Sequence, residues 1–212
     1  KERIRVNGRT IPTNAVEEFI DTFQLEIEKI GASFFEVMTV MAVWYFKESN
    51  VEYAIMETGL GGRFDSVTAC NANIFGFTSI SMDHAHILGN NLRMIAKEKI
   101  AAIQKNAQVY SVKQRPITEA LITKKCIERR CSYHFIKTDH NIDLALSGEH
   151  QKENASLAIA IANNILDKMS KKKTNECLMS INWHGRNQVI KRKPDIIFDV
   201  AHNESGLKKG DV

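Results

Sequence analysis

Strand-like and helix-periodic segments take turns along nearly the whole chain, and this alternation constrains the fold more than any other feature. Val16, Phe19, Ile20, Phe23, Ile27 and Ile30 recur at helical spacing, Asn14 and Glu17 are spaced like a capping box, and Gly31 is a natural stop. Ser33 and Glu36 repeat the capping pattern before an apolar helix that runs to about Lys47. A short strand, YAIME, should then end at Glu57, followed by a glycine-rich loop and a second apolar strand over 74–80. Helical spacing returns over 91–104, with Leu92, Ile95, Ala96, Ile100 and Ile103 on one face. A strand over 108–112, a helix from about Ile117 and a short strand near Tyr133 continue the series. A helix from Asn154 to about Met169 and a strand over 195–200 complete it.

Such a series predicts an α/β fold with a largely parallel sheet flanked by helices. Residues 170–175 are polar and Lys-rich without hydrophobic periodicity, so a domain boundary is expected just beyond them. The expected division is 1–176 as one domain and 177–212 as the beginning of a second, too short for a core of its own. The opening KERIRVNG is charged and strand-like and carries no initiator Met, which suggests a start inside a longer protein.

With 212 residues, 43% of them hydrophobic, the chain can bury a sizeable core. No apolar run reaches the roughly 18 residues of a membrane span, and the apolar stretch 34–46 suits a buried core helix. Cys70, Cys126, Cys131 and Cys177 form no CxxC pair, so free thiols are expected. The net charge of +4 is modest, and the Lys/Arg runs at 171–173 and 191–193 lack interleaved aromatics. They read as solvated loops, not a nucleic-acid surface, while mild basicity suits small anionic ligands.

Open parallel sheets place ligand sites beyond the carboxyl ends of their strands. Three expected strand ends carry chemistry: Glu57 before Gly59, Gly61 and Gly62; Asp83, His84 and His86 before Gly89; and Asp199 before His202 and Asn203. Carboxylates and imidazoles at several strand ends suit a shared metal–nucleotide site, since Mg²⁺ takes one or two protein carboxylates and fills its shell with water and phosphate oxygens. By themselves these residues also fit a turn, a capped strand end and exposed loop imidazoles. GLGGRFD is no dinucleotide fingerprint, because Phe64 stands where the third glycine would be.

The motifs taken together resemble the folylpolyglutamate synthase and dihydrofolate synthase family of the Mur ligase superfamily. RIRVNG at 3–8, SFFE at 33–36, ETGLGGRFD at 57–65 and TSISMDHAHILG at 78–89 match that family's motifs in order. EKIAAI at 98–103, HQKENA at 150–155, GR at 185–186 and PDIIFDVAHN at 194–203 continue the match. Departures are local: Asp65-Ser66-Val67-Thr68 stands for D-x-TN, Ala101 replaces a glycine, and Trp183-His184-Gly185-Arg186 stands for WPGR.

The resemblance implies a Mur-ligase-like central ATPase domain, followed by a truncated second domain. It implies an ATP-dependent ligase that joins glutamate to a pteroate or folyl-polyglutamate carboxylate through an acyl phosphate. Glu57, His84 and Lys99 would hold Mg²⁺, with Lys99 carbamylated so that a cation becomes an oxygen donor. Asn154 would contact adenine, and Arg186, Asp199 and His202 would close over ribose and phosphates, with Lys99, His84 and Arg186 serving catalysis. The expected partners are ATP, glutamate and folate or dihydropteroate, with no nucleic acid or membrane, for a cytoplasmic enzyme that is monomeric when intact. The family's phosphate loop is expected to precede Lys1, so the chain alone is expected to give no turnover. A non-catalytic nucleotide- or metal-binding module and a cell-wall-precursor ligase of the Mur type are the alternatives, with a metal hydrolase built on Asp83, His84 and His86 further off.

Overall fold

Asn7 and Gly8 both adopt positive φ (51° and 79°), the conformation that a two-residue hairpin turn of the strand-matching twist requires. They join β1 (Arg5–Val6) to β2 (Arg9–Thr10) at the start of a computed structural model that describes residues 2–166 and 169–201. The chain divides into two compact units, 1–71 and 72–212, and the boundary expected near 176 falls inside the second.

The first unit packs the hairpin against two helices. α1 (Thr13–Ile30) starts after Pro12, not at the capping pattern of Asn14 and Glu17, which lies within the helix. Gly31 ends it in the left-handed conformation, its N–H donating to the Ile27 and Glu28 carbonyls. α2 (Phe34–Glu48) opens with the expected capping box: the Ser33 N–H donates to the Glu36 carboxylate at 2.7 Å, and the Glu36 N–H donates to Ser33 Oγ. Ile4, Ile11, Phe19, Met41 and Ala42 form the core, where Phe19 meets Phe23 and Trp44 with ring centroids 4.9 and 5.6 Å apart. α2 is less enclosed than its composition suggests, because Val40 and Val43 stay exposed.

The expected YAIME strand does not form. Residues 53–58 carry no regular secondary structure, and among the described residues no strand pairs with them. A strand is completed by its ladder neighbour, and without one the apolar alternation leaves Ile55 94% exposed.

The second unit is a three-layer arrangement about a parallel sheet of order β3 (Ile74–Phe77), β4 (Gln108–Val112), β5 (Ser132–Ile136). Registers pair Ile74 with Gln108 and Gln108 with Ser132. The connections carry α3 (Ala85–Leu88) and α4 (Leu92–Ile100), then α5 (Pro116–Arg129). Phe75, Phe77, Val109 and Tyr133 pack on Ile100, Ile103 and Ile122, whereas Ile74, Tyr110, Val112 and Ile136 pack on Leu157 and Ile161 of α6 (Glu149–Ile165). This is the two-residue alternation of a sheet covered on both faces. Gly76 lets α6 approach, since a Cβ there would stand 2.8 Å from Ile161 Cδ1.

Several boundaries shift. β3 stops at Phe77, α4 gives way to a turn at Ala101, and α6 begins at Glu149, before Asn154. The polar, Lys-rich stretch 170–175, in which no helical period shows, opens a helix, α7 (Lys171–Met179), capped by Ser170 Oγ. The chain then forms an antiparallel pair, β6 (Gln188–Lys191) and β7 (Ile196–Phe198), apart from the parallel sheet. None of the four cysteines is disulfide-bonded. No helix of the described residues is long and apolar enough to cross a membrane.

Candidate functional site

In the first unit the glycine-rich loop is organised by a carboxylate. Asp65 accepts the N–H groups of Gly59 (2.7 Å), Leu60 (2.8 Å) and Val67 (2.9 Å), capping the 3₁₀ turn Ser66–Cys70 and folding the loop onto itself. Thr39 Oγ1 and Ser66 Oγ share a hydrogen bond of 2.6 Å, which fastens α2 to that turn. Gly59 runs so close to the Phe35 ring that a Cβ would fall 2.7 Å from its Cζ. Glu57 precedes this loop and is exposed.

In the second unit, the segment beyond β3 leads to Asp83 and His84. His84 takes a left-handed conformation (φ 48°), and its N–H donates to Asp83 Oδ1 at 2.8 Å. Its Nε2 lies 3.8 Å from Asp83 Oδ2, and the His86 ring is 6.3 Å away between centroids. Gly89 closes α3 at φ 117° against Met94. Lys99 lies half-buried in the last turn of α4. Among the described residues no three His, Cys, Asp or Glu side chains assemble a metal cage, Asp83, His84 and His86 included.

A second cluster joins the start of α6 to the β6–β7 pair. Asp199 accepts from the Asn187 N–H at 2.8 Å and the Ala201 N–H at 2.6 Å. Burial works to raise its pKa, but these two donors, with Arg186 and His150 nearby, hold the carboxyl below the ordinary aspartate value. Gly148, the N-cap of α6, sits where a Cβ would meet the His150 ring at 2.8 Å and Asn187 Nδ2 at 3.5 Å. Asn154 donates to Gln151 Oε1 at 3.2 Å, and Gln151 Nε2 meets His150 Nε2 at 3.1 Å. Thus Arg186 and Asp199 come together with His150, and Asn154 lies one helical turn along α6. His202 lies outside the described residues.

A pocket of about 970 Å³ opens beside this helix start, lined in part by His140, Asp143, Ser147, Glu149, Lys152 and Met179. Glu149 accepts from His140 Nδ1 and pairs with Lys152 Nζ, each at 3.0 Å, which lowers its carboxyl pKa. Asn154, Arg186 and Asp199 do not line it. The pocket is absent from the sequence reading, which starts the helix at Asn154 and so leaves Glu149 and Lys152 outside it.

The parallel sheet is covered by helices on both faces, an α/β architecture, and of its strands β3 leads toward the candidate residues Asp83 and His84. No protein-family profile matches the chain. Proteins named dihydrofolate synthase and folylpolyglutamate synthase are among its relatives by sequence. It is 28% identical to the dihydrofolate synthase/folylpolyglutamate synthase of Bacillus subtilis over 98% of this chain and 56% of the relative. It is 30% identical to the enzyme of that name from Buchnera aphidicola over 95% of this chain and 53% of the relative. A probable bifunctional folylpolyglutamate synthase/dihydropteroate synthase of Haloferax volcanii is 27% identical over 96% of this chain and 28% of its own length. The fold is that of the Mycobacterium tuberculosis folylpolyglutamate synthase complexed with ADP and AMPPCP, with a TM-score of 0.87 and 24% identity over 98% of this chain and 55% of that one. A folylpolyglutamate synthase in complex with AMPPCP and folate matches at a TM-score of 0.84, 23% identity, and coverage of 98% and 60%. The chain thus spans about half the length, or less, of these relatives.

Proposed function

We propose that this chain supplies the ATP-binding part of a ligase that joins glutamate to dihydropteroate or to a folyl-polyglutamate. The observation that carries this reading is similarity to enzymes of that name along 95–98% of the chain. Phosphoryl transfer from ATP to the folate or pteroate carboxylate gives an acyl phosphate, which the glutamate amine attacks. Residues 1–176 form the ATP-binding domain and 177–212 the start of a second. The separate β6–β7 pairing supports that division. The enzyme works in the cytoplasm.

The donor set suits Mg²⁺, because a cation that draws most of its shell from phosphate oxygens and water needs few protein ligands. Glu57, His84 and a carbamylated Lys99 would hold it, and the bound cation would offset charge on the phosphates. Asn154 binds the adenine edge. Asp199, held ionised by the Asn187 and Ala201 N–H groups, accepts ribose hydroxyls, and with His202 it covers ribose and phosphates. Arg186 meets the charge of the transferring phosphoryl group.

The test uses a full-length version of the protein. Phosphate release from ATP must require both glutamate and a pteroate or folate; release that persists without glutamate overturns the reading. Lys99→Ala should abolish glutamate addition, whereas Lys97→Ala on the same helix should leave it near wild type. If both variants keep wild-type activity, the carbamate assignment is wrong.

A further inference from the structure

The chain leaves α5 through Arg130 in the left-handed conformation (φ 57°), and two backbone bonds close the turn. The Arg130 N–H donates to the Ile127 carbonyl at 3.2 Å, and the Cys131 N–H donates to the Cys126 carbonyl at 2.9 Å. This double closure is a Schellman motif, in which the residues at the two ends bring their side chains together. Here both are cysteines. Cys126 is 2% exposed and packs with Ile100, Ile103, Val109 and Ile122, while Cys131 lies half-buried against the same cluster. The Cys131 thiol donates to the Gln104 carbonyl at 3.2 Å, which fixes where its sulfur sits. Burial, with the Cys131 thiol beside it, pushes the Cys126 thiol up to about 11. The direct backbone hydrogen bond keeps the two α-carbons close, and a disulfide asks for roughly 4.4–6.8 Å between them.

We propose that Cys126 and Cys131 are a modification site: they form a reversible intrachain disulfide with an oxidised low-molecular-weight thiol, such as oxidised glutathione, as the oxidant. Cys131, the more accessible sulfur, attacks as thiolate. A Cys131–glutathione bond forms, the S–S bond of the oxidant breaks, and one glutathione departs as its thiol. Cys126 then attacks the Cys131 sulfur and displaces the second glutathione. Two protein S–H bonds and one small-molecule S–S bond become one protein disulfide and two glutathione thiols. The bridge fastens the end of α5 to the entry of β5. Cys70 and Cys177 are free and exposed, and the same oxidant would leave them as mixed disulfides. This inference does not depend on the ligase reading.

Trypsin cuts after Arg129 and after Arg130, so only a disulfide keeps the peptide Cys126–Arg129 joined to Cys131–Lys137. Protein with Cys70 and Cys177 replaced by serine is equilibrated with oxidised glutathione, its remaining thiols are alkylated, and the digest is weighed. The expected product is the joined pair, lost on reduction and absent from Cys131→Ser, in a chain lighter by two hydrogens. Glutathione retained on Cys131 with Cys126 alkylated overturns the proposal, and so does alkylation of both. Cys126→Ala in the same background should accumulate glutathione on Cys131. An unmodified Cys131 there also overturns the proposal, because the first step would not occur.

Discussion

The Gln114 carboxamide stands in for a strand neighbour of Ile80: its Oε1 accepts the Ile80 N–H at 3.0 Å, and its Nε2 donates to the Thr78 carbonyl at 2.9 Å. The same Nε2 reaches Ser111 Oγ at 3.0 Å. β3 leaves the ladder at Phe77, and the Thr78 carbonyl and Ile80 N–H beyond it still find a partner. The segment so held is the one that delivers Asp83 and His84.

Gln114→Ala strips the buried Ile80 N–H of its partner, at about 1–3 kcal/mol, and the more exposed Thr78 carbonyl of its own at a smaller cost. Urea denaturation should report a loss of about 2–4 kcal/mol with an unchanged m-value. Gln114→Glu keeps an acceptor for Ile80 but offers Thr78 no donor, and should fall between the two. A loss below about 0.5 kcal/mol for Gln114→Ala would remove the clamp from the account.

Asp65 gathers three N–H donors, and Asp65→Asn turns a donor group toward some of them. The expected cost is about 1–3 kcal/mol, measured by denaturant unfolding. Amide exchange at Gly59 and Leu60 should quicken more than at residues in the middle of α1. Equal change at both places would mean that Asp65 supports the whole unit and not the loop.

Gly89 combines φ 117° with a would-be Cβ only 2.5 Å from Met94 Cβ, so Gly89→Ala meets both strain and a clash. Thermal unfolding should show a loss above about 2 kcal/mol. Gly8 also has positive φ (79°) but nothing within 4 Å of its missing Cβ. Gly8→Ala should therefore cost only the left-handed penalty, about 1–2 kcal/mol.

The lowered pKa of Asp199 has a definite sign. A carboxyl whose folded pKa lies below its unfolded value adds stability at pH above the unfolded value, and that stability fades as pH falls through the folded one. The β6–β7 pair should keep its amide protection from neutral pH to about pH 4 and lose it below. In Asp199→Asn the protection should be lower at neutral pH and less dependent on acid. Identical acid profiles for the two proteins would contradict the role given to Asp199.

Much of this architecture was legible in the sequence, for identifiable reasons. Ser33 with Glu36 marks a helix start, and Gly31 marks a helix end, because those signals are local. The YAIME segment misled because alternation records which side chains are apolar, not whether a ladder partner is present. α7 went unseen because Leu178 is its one buried residue, and a single anchor has no period. The motif order singled out Glu57, His84, Lys99, Asn154, Arg186 and Asp199 as candidates, and of these Arg186 and Asp199 lie together beside His150. It did not expose Gln114, since a side chain replacing a backbone rung leaves no pattern, or the loop-folding role of Asp65, which motif matching treats as one letter among several.

The sheet order carries a kinetic consequence. β4 and β5 are joined through a shorter connection than β3 and β4, as the pairs Gln108–Ser132 and Ile74–Gln108 make plain. The entropy of bringing strands together grows slowly with the length between them, so the two closures differ by only a few tenths of a kcal/mol, roughly, in β4–β5's favour. Burial tilts the order further, because β4 is almost wholly enclosed and its Val109 meets Ile122 and Cys126 of the intervening α5. During refolding, the β4–α5–β5 crossover should gain amide protection first, and β3 should add to an edge already in place.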